Sequence, residues 1–409
     1  MTAIASSLRH DIDEILPGVI ADRRHIHEHP EVAFHEHATA AFVADRLAAL
    51  GVDTIRTGLN GTGVTGTIVG TGPNPTAAPT RHILFRSELD GLPVAEETGA
   101  PYASQVAGVS HACGHDGNIA ALLAVARILV QRRQEFAGSV TVLFQPAEEL
   151  PPGGAKGMVE AGALDAVDAV VVAGISLFND IGTIITSPGP ILAASDIFTI
   201  TITGTGGHAA LPHLAIDPVV IAFQVGSALQ TLVSREVDPM DRAVVSICSL
   251  HGGDTHNVIP ETVSLAGTVR TFDPDVRAHI ARRIGEIASG IAAASGASAT
   301  LDYTWGYPVT VNDPAITRLV QEVAGEIVGA DNVGPLTPLL GGEDAAYYLQ
   351  AKPGCYAFVG ARNADKGFTF MHHHPKFDFD EDALALDIEL MVSIALRYLS
   401  LDRGVQSMT

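Results

Sequence analysis

Strand-like and helical segments alternate along the first 187 residues, and this alternation constrains the fold more than any other feature of the sequence. Residues 139–144 and 167–172 are apolar runs with the length of buried strands, whereas residues 37–50 carry apolar side chains at helical spacing. Such alternation predicts an α/β fold with a mostly parallel sheet that helices cover on both faces.

The pattern changes near Ser187, where the proline-containing segment SPGPILAASD indicates a hinge. The residues that follow predict strand, helix, strand, strand, helix and strand, which is the order of a ferredoxin-like α+β module. Helix and strand alternation resumes after Pro308. We therefore expect one α/β domain formed by residues 1–188 and 308–409, interrupted by a smaller domain of residues 189–307.

The charge balance excludes several classes of partner. Forty-six acidic residues against 24 Lys and Arg give a net charge of −22, which argues against binding to nucleic acid or to an anionic membrane. No segment reaches the ~20 apolar residues of a spanning helix, and the amino terminus lacks a signal-peptide pattern, so we expect a cytoplasmic protein. Three cysteines are too few, and odd in number, for a disulfide framework.

The densest group of reactive residues is HACGHDGN, residues 111–118, just before a strong helical segment. A thiolate at Cys113 and an imidazole at His115 can both face one metal ion, and a helix N-terminus favours the ionised thiol. A buried free thiol beside a helix-capping Asp116 is the alternative. Cys248, in an apolar strand, and Cys355, after a Pro-Gly turn, are expected to be packed side chains.

Two further segments carry candidate ligands. A predicted strand ends in QPAEE, and Glu148 and Glu149 at the carboxyl end of a parallel strand could serve as proton acceptor and metal ligand. A solvated acidic turn is the alternative reading. The histidine run 372–374 could be a surface tract, but the flanking Phe370 and Phe377 favour a partly buried site.

The interrupting domain contains three weaker candidates. His208 follows two glycines at the end of an alternating strand and is either a ligand-binding or a structural histidine. Asn257 could bind a ligand or close its own turn. Arg270 could bind a carboxylate through two parallel hydrogen bonds or form an ordinary ion pair.

Taken together, these segments resemble the amidohydrolase branch of the M20 metallopeptidase family, which includes aminoacylases, hippurate hydrolases and auxin-conjugate hydrolases. The likeness extends nearly from end to end. The matching segments, in chain order, are RRHIHEHPEVAFHE, RSELDGLPVAEETG, HACGHDGN, QPAEE, GGHAALPH, GGDTHNVIP, GTVRTFD, GGEDAAYYL and HHPKFDFDE. The resemblance implies a zinc-peptidase-like catalytic domain split by a smaller dimerisation domain.

The resemblance also implies a role for each candidate. The implied metal ligands are Cys113, His115, Glu149 and His373. Glu148 would be the general base, taking a proton from water and passing it to the departing amine. In relatives, the residues that match His208 and Asn257 reach across a dimer interface to the substrate. His208 would also stabilise the tetrahedral oxyanion, and Arg270 would bind the substrate carboxylate.

The expected activity is therefore metal-dependent hydrolysis of the amide bond in N-acyl amino acids by a homodimer. One or two divalent ions would bind each chain, with zinc favoured and manganese or cobalt as alternatives. The substrate is expected to be a small molecule.

Three departures from the branch pattern bear on this expectation. Ser176 stands where the branch has a further histidine ligand, Asn118 replaces the last histidine of HACGHDGH, and Glu88 replaces an aspartate. One of two metal positions is expected to be weakened, unless His372, His374 or a water molecule fills the gap. A catalytically degenerate ligand- or metal-binding protein is the alternative, and a thiol hydrolase with Cys113 as nucleophile and His115 as base is a third hypothesis.

Overall fold

The computed structural model describes residues 3–74 and 80–401, and these residues divide between two compact units. The first unit is built from the chain up to Ile191, from Val311–Thr337 and from Asp344 onward. The second unit contains Leu192–Thr310 and Pro338–Glu343. The dimerisation role predicted for the interrupting domain stays a prediction.

The elements of the first unit up to the hinge are α1 (Ala3–Glu28), α2 (His37–Leu50), β1 (Thr54–Leu59), β2 (Gly63–Thr71), β3 (His82–Glu88), α3 (His115–Gln131), β4 (Ala137–Gln145), α4 (Ala155–Glu160), β5 (Ala169–Asp180) and β6 (Ile184–Ile185). After β7 (Gly189–Leu192), the second unit contributes β8 (Ala194–Thr203), β9 (Gly207–His208), α5 (Pro218–Thr231), β10 (Ala243–His251), β11 (Val258–Ile259), β12 (Thr262–Thr271), α6 (Pro274–Ala294) and β13 (Ser298–Tyr307). The chain then continues with β14 (Thr310–Asn312), α7 (Pro314–Val328), β15 (Val333–Gly334), α8 (Ala346–Ala351), β16 (Gly354–Arg362) and α9 (Ala383–Ser400).

The sheet of the first unit has eight strands in the order β1-β2-β4-β3-β5-β16-β6-β15. Its four central strands, β4, β3, β5 and β16, are parallel, as the helix and strand alternation predicts. The hairpin of β1 and β2 adds antiparallel strands at one side, and β6 runs antiparallel to β16 at the other. The sheet is therefore mixed, with a parallel centre.

A nearly all-buried helix, α3, lies at the middle of the first unit and contacts α1, α9 and the central strands. Its entry turn matters for the site, because Gly114 has a φ of 87°, a left-handed conformation that glycine adopts without strain. The turn makes His115 the first helical residue and leaves Cys113 just before the Gly114 N-cap.

The second unit has the predicted ferredoxin-like arrangement. Its antiparallel sheet has the strand order β10-β12-β8-β13, and α5 and α6 pack on it. Buried and less buried residues alternate along β8 and β12, as the period-two pattern of FTITIT predicts.

The prediction that Cys248 is a core residue is wrong, because its side chain is exposed. Cys248 lies on the edge strand β10, and Ile247 pairs with Gly267 while Ser249 pairs with Ala266. Cys248 is thus the extra residue of a β-bulge, and it lies off the face on which Val245 pairs with the buried Val269. Cys355 is buried, as predicted.

A buried ionic cluster ties α3 to α1 and to the segment before α9. The fully buried Arg23 guanidinium donates hydrogen bonds to Asp116 at 2.6 Å, to Asp378 at 2.7 Å and to Glu381 at 3.2 Å. His27 Nδ1 lies 2.8 Å from the same Asp116 carboxylate. The Arg23 guanidinium and His27 hold the pKa of Asp116 below its ordinary value despite its burial.

Arg23→Met should destabilise the protein by about 3–5 kcal/mol, because it leaves a buried carboxylate without its cation. Unfolding by urea, followed by circular dichroism, measures the change. Arg24→Met is the matched control, because Arg24 contacts the same Glu381 from a side chain that is 43% exposed. Its loss should cost less than about 1 kcal/mol. Equal destabilisation by the two substitutions would contradict this account.

Candidate metal centre

The candidate site lies where the carboxyl ends of β3 and β4 meet the start of α3. Glu88 ends β3 and Asp90 follows it, while Glu148 and Glu149 follow the neighbouring parallel strand β4. Ends of adjacent parallel strands share one edge of a sheet, so these carboxylates are brought together by the strand pairing. His373 arrives on the loop between β16 and α9.

Five of the residues predicted from the sequence converge there, and we call them the ligand cluster: Cys113, His115, Glu148, Glu149 and His373. One ligand atom each from Cys113, Glu149 and His373 lie within 4.8 Å of one another, and so do those of His115, Glu148 and Glu149. The His373 Nε2 atom is 3.2 Å from Glu149 Oε1. The His115 Nε2 atom is 4.0 Å from the same oxygen and 3.9 Å from Glu148 Oε2.

His115 is held in one orientation by the backbone. Its Nδ1 lies 2.8 Å from the carbonyl oxygen of Asp90, which can only accept a hydrogen bond, so Nδ1 carries the proton. In the neutral ring the lone pair is then on Nε2, the atom that faces Glu148 and Glu149. A metal-ligating histidine usually donates the N–H of its other ring nitrogen to a carbonyl or carboxylate oxygen in this way.

The QPAEE turn is held by two carboxylates, Asp90 and Glu36, for which the sequence predicted no role. Asp90 is buried and accepts the backbone N–H groups of Glu148 and Glu149, both at 3.0 Å. Burial raises the pKa of Asp90 to about 6. Glu36 accepts the N–H of Ala147 at 2.8 Å, and Ala147 has a φ of 54°. Asp90 lies within the matched RSELDGLP block, but only the folded turn reveals which groups it accepts.

His373 is also presented by a left-handed backbone, with a φ of 68°. Its N–H donates to the carbonyl oxygen of Ala112 at 2.7 Å, which ties its loop to the segment that carries Cys113. Non-glycine residues in this conformation are uncommon and concentrate at functional sites. The backbone thus fixes the position of a candidate ligand whose side chain is 54% exposed.

The ligand cluster fits a divalent cation. Burial, with Glu149 and Glu148 nearby, raises the pKa of the Cys113 thiol well above its ordinary value, so its ionised form requires a positive charge. One sulphur, two imidazole nitrogens and carboxylate oxygens are a donor set suited to zinc and related ions.

The three departures from the branch pattern lie beside the ligand cluster and are engaged elsewhere. Glu88 forms a buried ion pair with Arg86 and accepts the Asn118 side-chain amide at 3.0 Å. The Asn118 side-chain oxygen accepts the N–H of Ile175 at 3.0 Å. The Ser176 hydroxyl accepts the N–H of Phe178 at 3.1 Å.

The remaining predicted residues lie in the second unit. His208 and Asn257 are neighbours, because β9 pairs with β11 and the Ala209 N–H donates to the Asn257 carbonyl oxygen at 3.1 Å. Both side chains are exposed. Arg270, on β12, is half-buried and donates to the Thr268 hydroxyl and the Val269 carbonyl oxygen.

Comparison with known proteins identifies the family to which the chain belongs. The family model of peptidase family M20/M25/M40 matches residues 84–397, more than half of the chain. The chain belongs to this family. It is therefore a hydrolase that acts on amide bonds, and the resemblance seen in the sequence motifs is confirmed. Among the described residues, none of the helices is long and apolar enough to cross a bilayer.

Relatives within the M20 family align over nearly the whole chain. The chain is 42% identical to YhaA of Bacillus subtilis over 397 residues, covering 96% of this chain and 98% of YhaA. It is 41% identical to the N-acetyl-L-cysteine deacetylase of Bacillus subtilis over 368 residues, 90% of this chain and 84% of that protein. The crystal structure of Bacillus subtilis YXEP, described as a dinuclear metal-binding peptidase of the M20 family, matches with a TM-score of 0.82 and 33% identity, covering 95% of this chain and 99% of YXEP. The likeness to a metal-binding peptidase indicates a divalent metal.

Asp90→Asn should lower the affinity for zinc by about 10- to 100-fold, because the amide NH₂ cannot accept the second backbone N–H and the Glu148–Glu149 turn loses an anchor. Competition with a zinc-binding chromophore measures the affinity. Asp53→Asn is the control, since Asp53 also accepts a backbone N–H, that of Val69, but at the surface. An Asp90→Asn protein with unchanged affinity would show that this anchor does not position the ligands.

Proposed function

We propose that the protein is a metal-dependent amidohydrolase that cleaves N-acyl amino acids, with Glu148 as the general base. The observation that carries the proposal is the position of Glu148 within the ligand cluster, 3.9 Å from His115 Nε2 and in a turn that Asp90 fixes. Two adjacent carboxylates with different surroundings suit two different tasks. Glu149 faces His373 as a ligand, and Glu148 remains to transfer protons.

The metal ligands in this proposal are Cys113, His115, Glu149 and His373, and zinc is the ion that best suits their sulphur, nitrogen and oxygen atoms. A bound divalent ion supplies Lewis-acid chemistry, which lowers the pKa of water toward ~7 and polarises the substrate carbonyl. Manganese or cobalt could take the same place.

The chain's own residues perform the proton transfers. Glu148 accepts a proton from the attacking water and later donates it to the nitrogen of the departing amine. The hydrogen bonds from the Glu148 and Glu149 N–H groups to Asp90 keep the Glu148 backbone fixed through both steps, so its carboxylate returns to the same position.

The substrate class is inferred from a relative and from three residues of the second unit. The name of the related N-acetyl-L-cysteine deacetylase gives an acylated amino acid as the substrate of that protein. We infer that Arg270 binds the substrate carboxylate, because among the described residues its hydrogen bonds go to a hydroxyl and a carbonyl oxygen rather than to a carboxylate. His208 and Asn257 are exposed polar side chains that we assign to the substrate carbonyl or carboxylate, contributed within a homodimer.

Glu148→Gln should lower kcat for N-acetyl and N-benzoyl amino acids by about 10²–10⁴-fold while metal content stays unchanged, because the amide cannot accept the proton. Turnover is followed by release of the free amino acid, and metal content by elemental analysis. Glu149→Gln is the matched control, and it should lose metal as well as activity. Full activity in Glu148→Gln would exclude it as the base.

The specific observation that favours a second candidate is Ser176, whose hydroxyl is a poor ligand where the branch has an imidazole. On this reading the chain is a degenerate M20 protein that binds metal or a ligand without turnover. Failure of the metal-loaded protein to hydrolyse any member of an acyl-amino-acid panel would support this reading over ours.

Removal of metal with a chelator should abolish hydrolysis, and added zinc, manganese or cobalt should restore it. We expect chelation to abolish hydrolysis because Cys113 acts as a metal ligand rather than as a nucleophile. Alkylation of Cys113 should be faster in the metal-free protein than in the metal-loaded protein, since a ligating thiolate is protected. Activity that survives chelation but not alkylation would support the thiol hydrolase hypothesis instead.

A further inference from the structure

We propose that His372 is a positioning residue that donates a hydrogen bond from Nδ1 to the metal-binding thiolate of Cys113, and that it thereby favours a centre with one ion. The inference rests on the proposed function, because it takes Cys113 as a ligand. It concerns a histidine that the implied ligand set does not include. His372 Nδ1 lies 3.7 Å from Cys113 Sγ, within the range of hydrogen bonds to sulphur.

The backbone of β5 decides which ring nitrogen of His372 carries the proton. The N–H of Leu177 points at His372 Nε2, at a distance of 3.2 Å. A backbone amide can only donate, so Nε2 must offer its lone pair. A ring with an unprotonated Nε2 is a neutral imidazole whose proton is on Nδ1, the atom that faces the sulphur.

This tautomer excludes two other roles for His372. A protonated Nδ1 cannot ligate a cation, so His372 does not replace the missing histidine at position 176 as a ligand. A protonated Nδ1 also cannot accept the thiol proton, so the pair is not the base and nucleophile of a thiol hydrolase. The Nδ1 proton faces the sulphur and the backbone of Cys113, and we assign it to the sulphur as a hydrogen-bond donor.

Aromatic neighbours hold the His372 ring in place. Its centroid lies 5.5 Å from that of Phe178 and 4.9 Å from that of Phe377. Phe377 is buried. The ring is therefore restrained by packing on two aromatic side chains and by hydrogen-bonding atoms at both nitrogens.

The geometry bears on the number of ions. A thiolate that accepts an N–H has less electron density to share with a second cation, and Ser176 offers no imidazole for such a cation. YXEP is described as dinuclear. In this chain, the N–H donor at Cys113 and the serine at 176 both favour one tightly bound ion.

The test compares His372→Leu, which removes the donor, with His372→Asn, whose side-chain NH₂ can occupy the Nδ1 position. His374→Leu is the matched control from the same histidine run, because His374 is exposed, stacks on Phe370 and accepts the Lys376 N–H. Each full-length protein is loaded with zinc for affinity and stoichiometry, and with cobalt for its sulphur-to-metal charge-transfer absorption.

We expect His372→Leu to bind zinc about 10- to 100-fold more weakly and to shift the charge-transfer band to longer wavelength, because the sulphur loses a hydrogen bond. His372→Asn should restore both properties, and His374→Leu should match the unchanged protein. One tightly bound zinc ion per chain is expected in the unchanged protein. Nitrogen NMR of the loaded protein should show His372 protonated at Nδ1.

Protonation of His372 at Nε2, or an unshifted charge-transfer band in His372→Leu, would overturn the inference while leaving the proposed function intact. Equal loss of zinc affinity in the Leu and Asn variants would instead make His372 a ligand and would also overturn it. Two tightly bound zinc ions would overturn the single-ion part. Absence of any charge-transfer band in the unchanged protein would mean that Cys113 is not a ligand, and the proposed function would fail first.

Discussion

The charge balance of a few buried carboxylates determines the structure of the site. Moving a carboxylate out of water is costly unless donors or cations compensate it. Asp90 is compensated by two backbone N–H groups, and Glu88 by Arg86 and Asn118. Glu149 faces two imidazole nitrogens, the lone-pair atom of His115 among them. Because the neutral His115 ring presents a lone pair to the Glu149 carboxylate, the arrangement calls for a positive charge there, either a proton or a metal ion.

The same principle explains how a buried ionic cluster holds the segments that carry the site residues. Asp116 occupies the first turn of α3, one residue after His115, and it is paired with the buried Arg23 of α1. Arg23 also holds Asp378 and Glu381, which lie a few residues after His373. One guanidinium therefore connects the two chain segments that carry His115 and His373, the proposed histidine ligands. A change at Arg23 acts on the site through the positions of these segments, without touching a ligand.

The sequence predicted the parts of this protein that depend on local pattern. Strands such as β5 and helices such as α2 follow from apolar periodicity, and the convergence of Glu149 with Cys113 follows from the rule that ligands collect at strand ends. Features that depend on tertiary pairing were not predictable. The bulge at Cys248 is set by register with a neighbouring strand, and the role of Asp90 by which N–H groups the folded turn presents to it.

The departures from the branch pattern are linked through the second half of β5. Three N–H groups there are accepted by side chains: that of Ile175 by Asn118, that of Leu177 by His372 and that of Phe178 by Ser176. Random loss of ligands would be expected to leave buried polar groups without partners, which proteins rarely tolerate. Here Asn118 and Ser176 each satisfy a backbone donor, and Asn118 also binds Glu88. This mutual satisfaction shows that Asn118 and Ser176 are accommodated by their neighbours, which agrees with our proposal that the retained Glu148 and Glu149 serve a working centre.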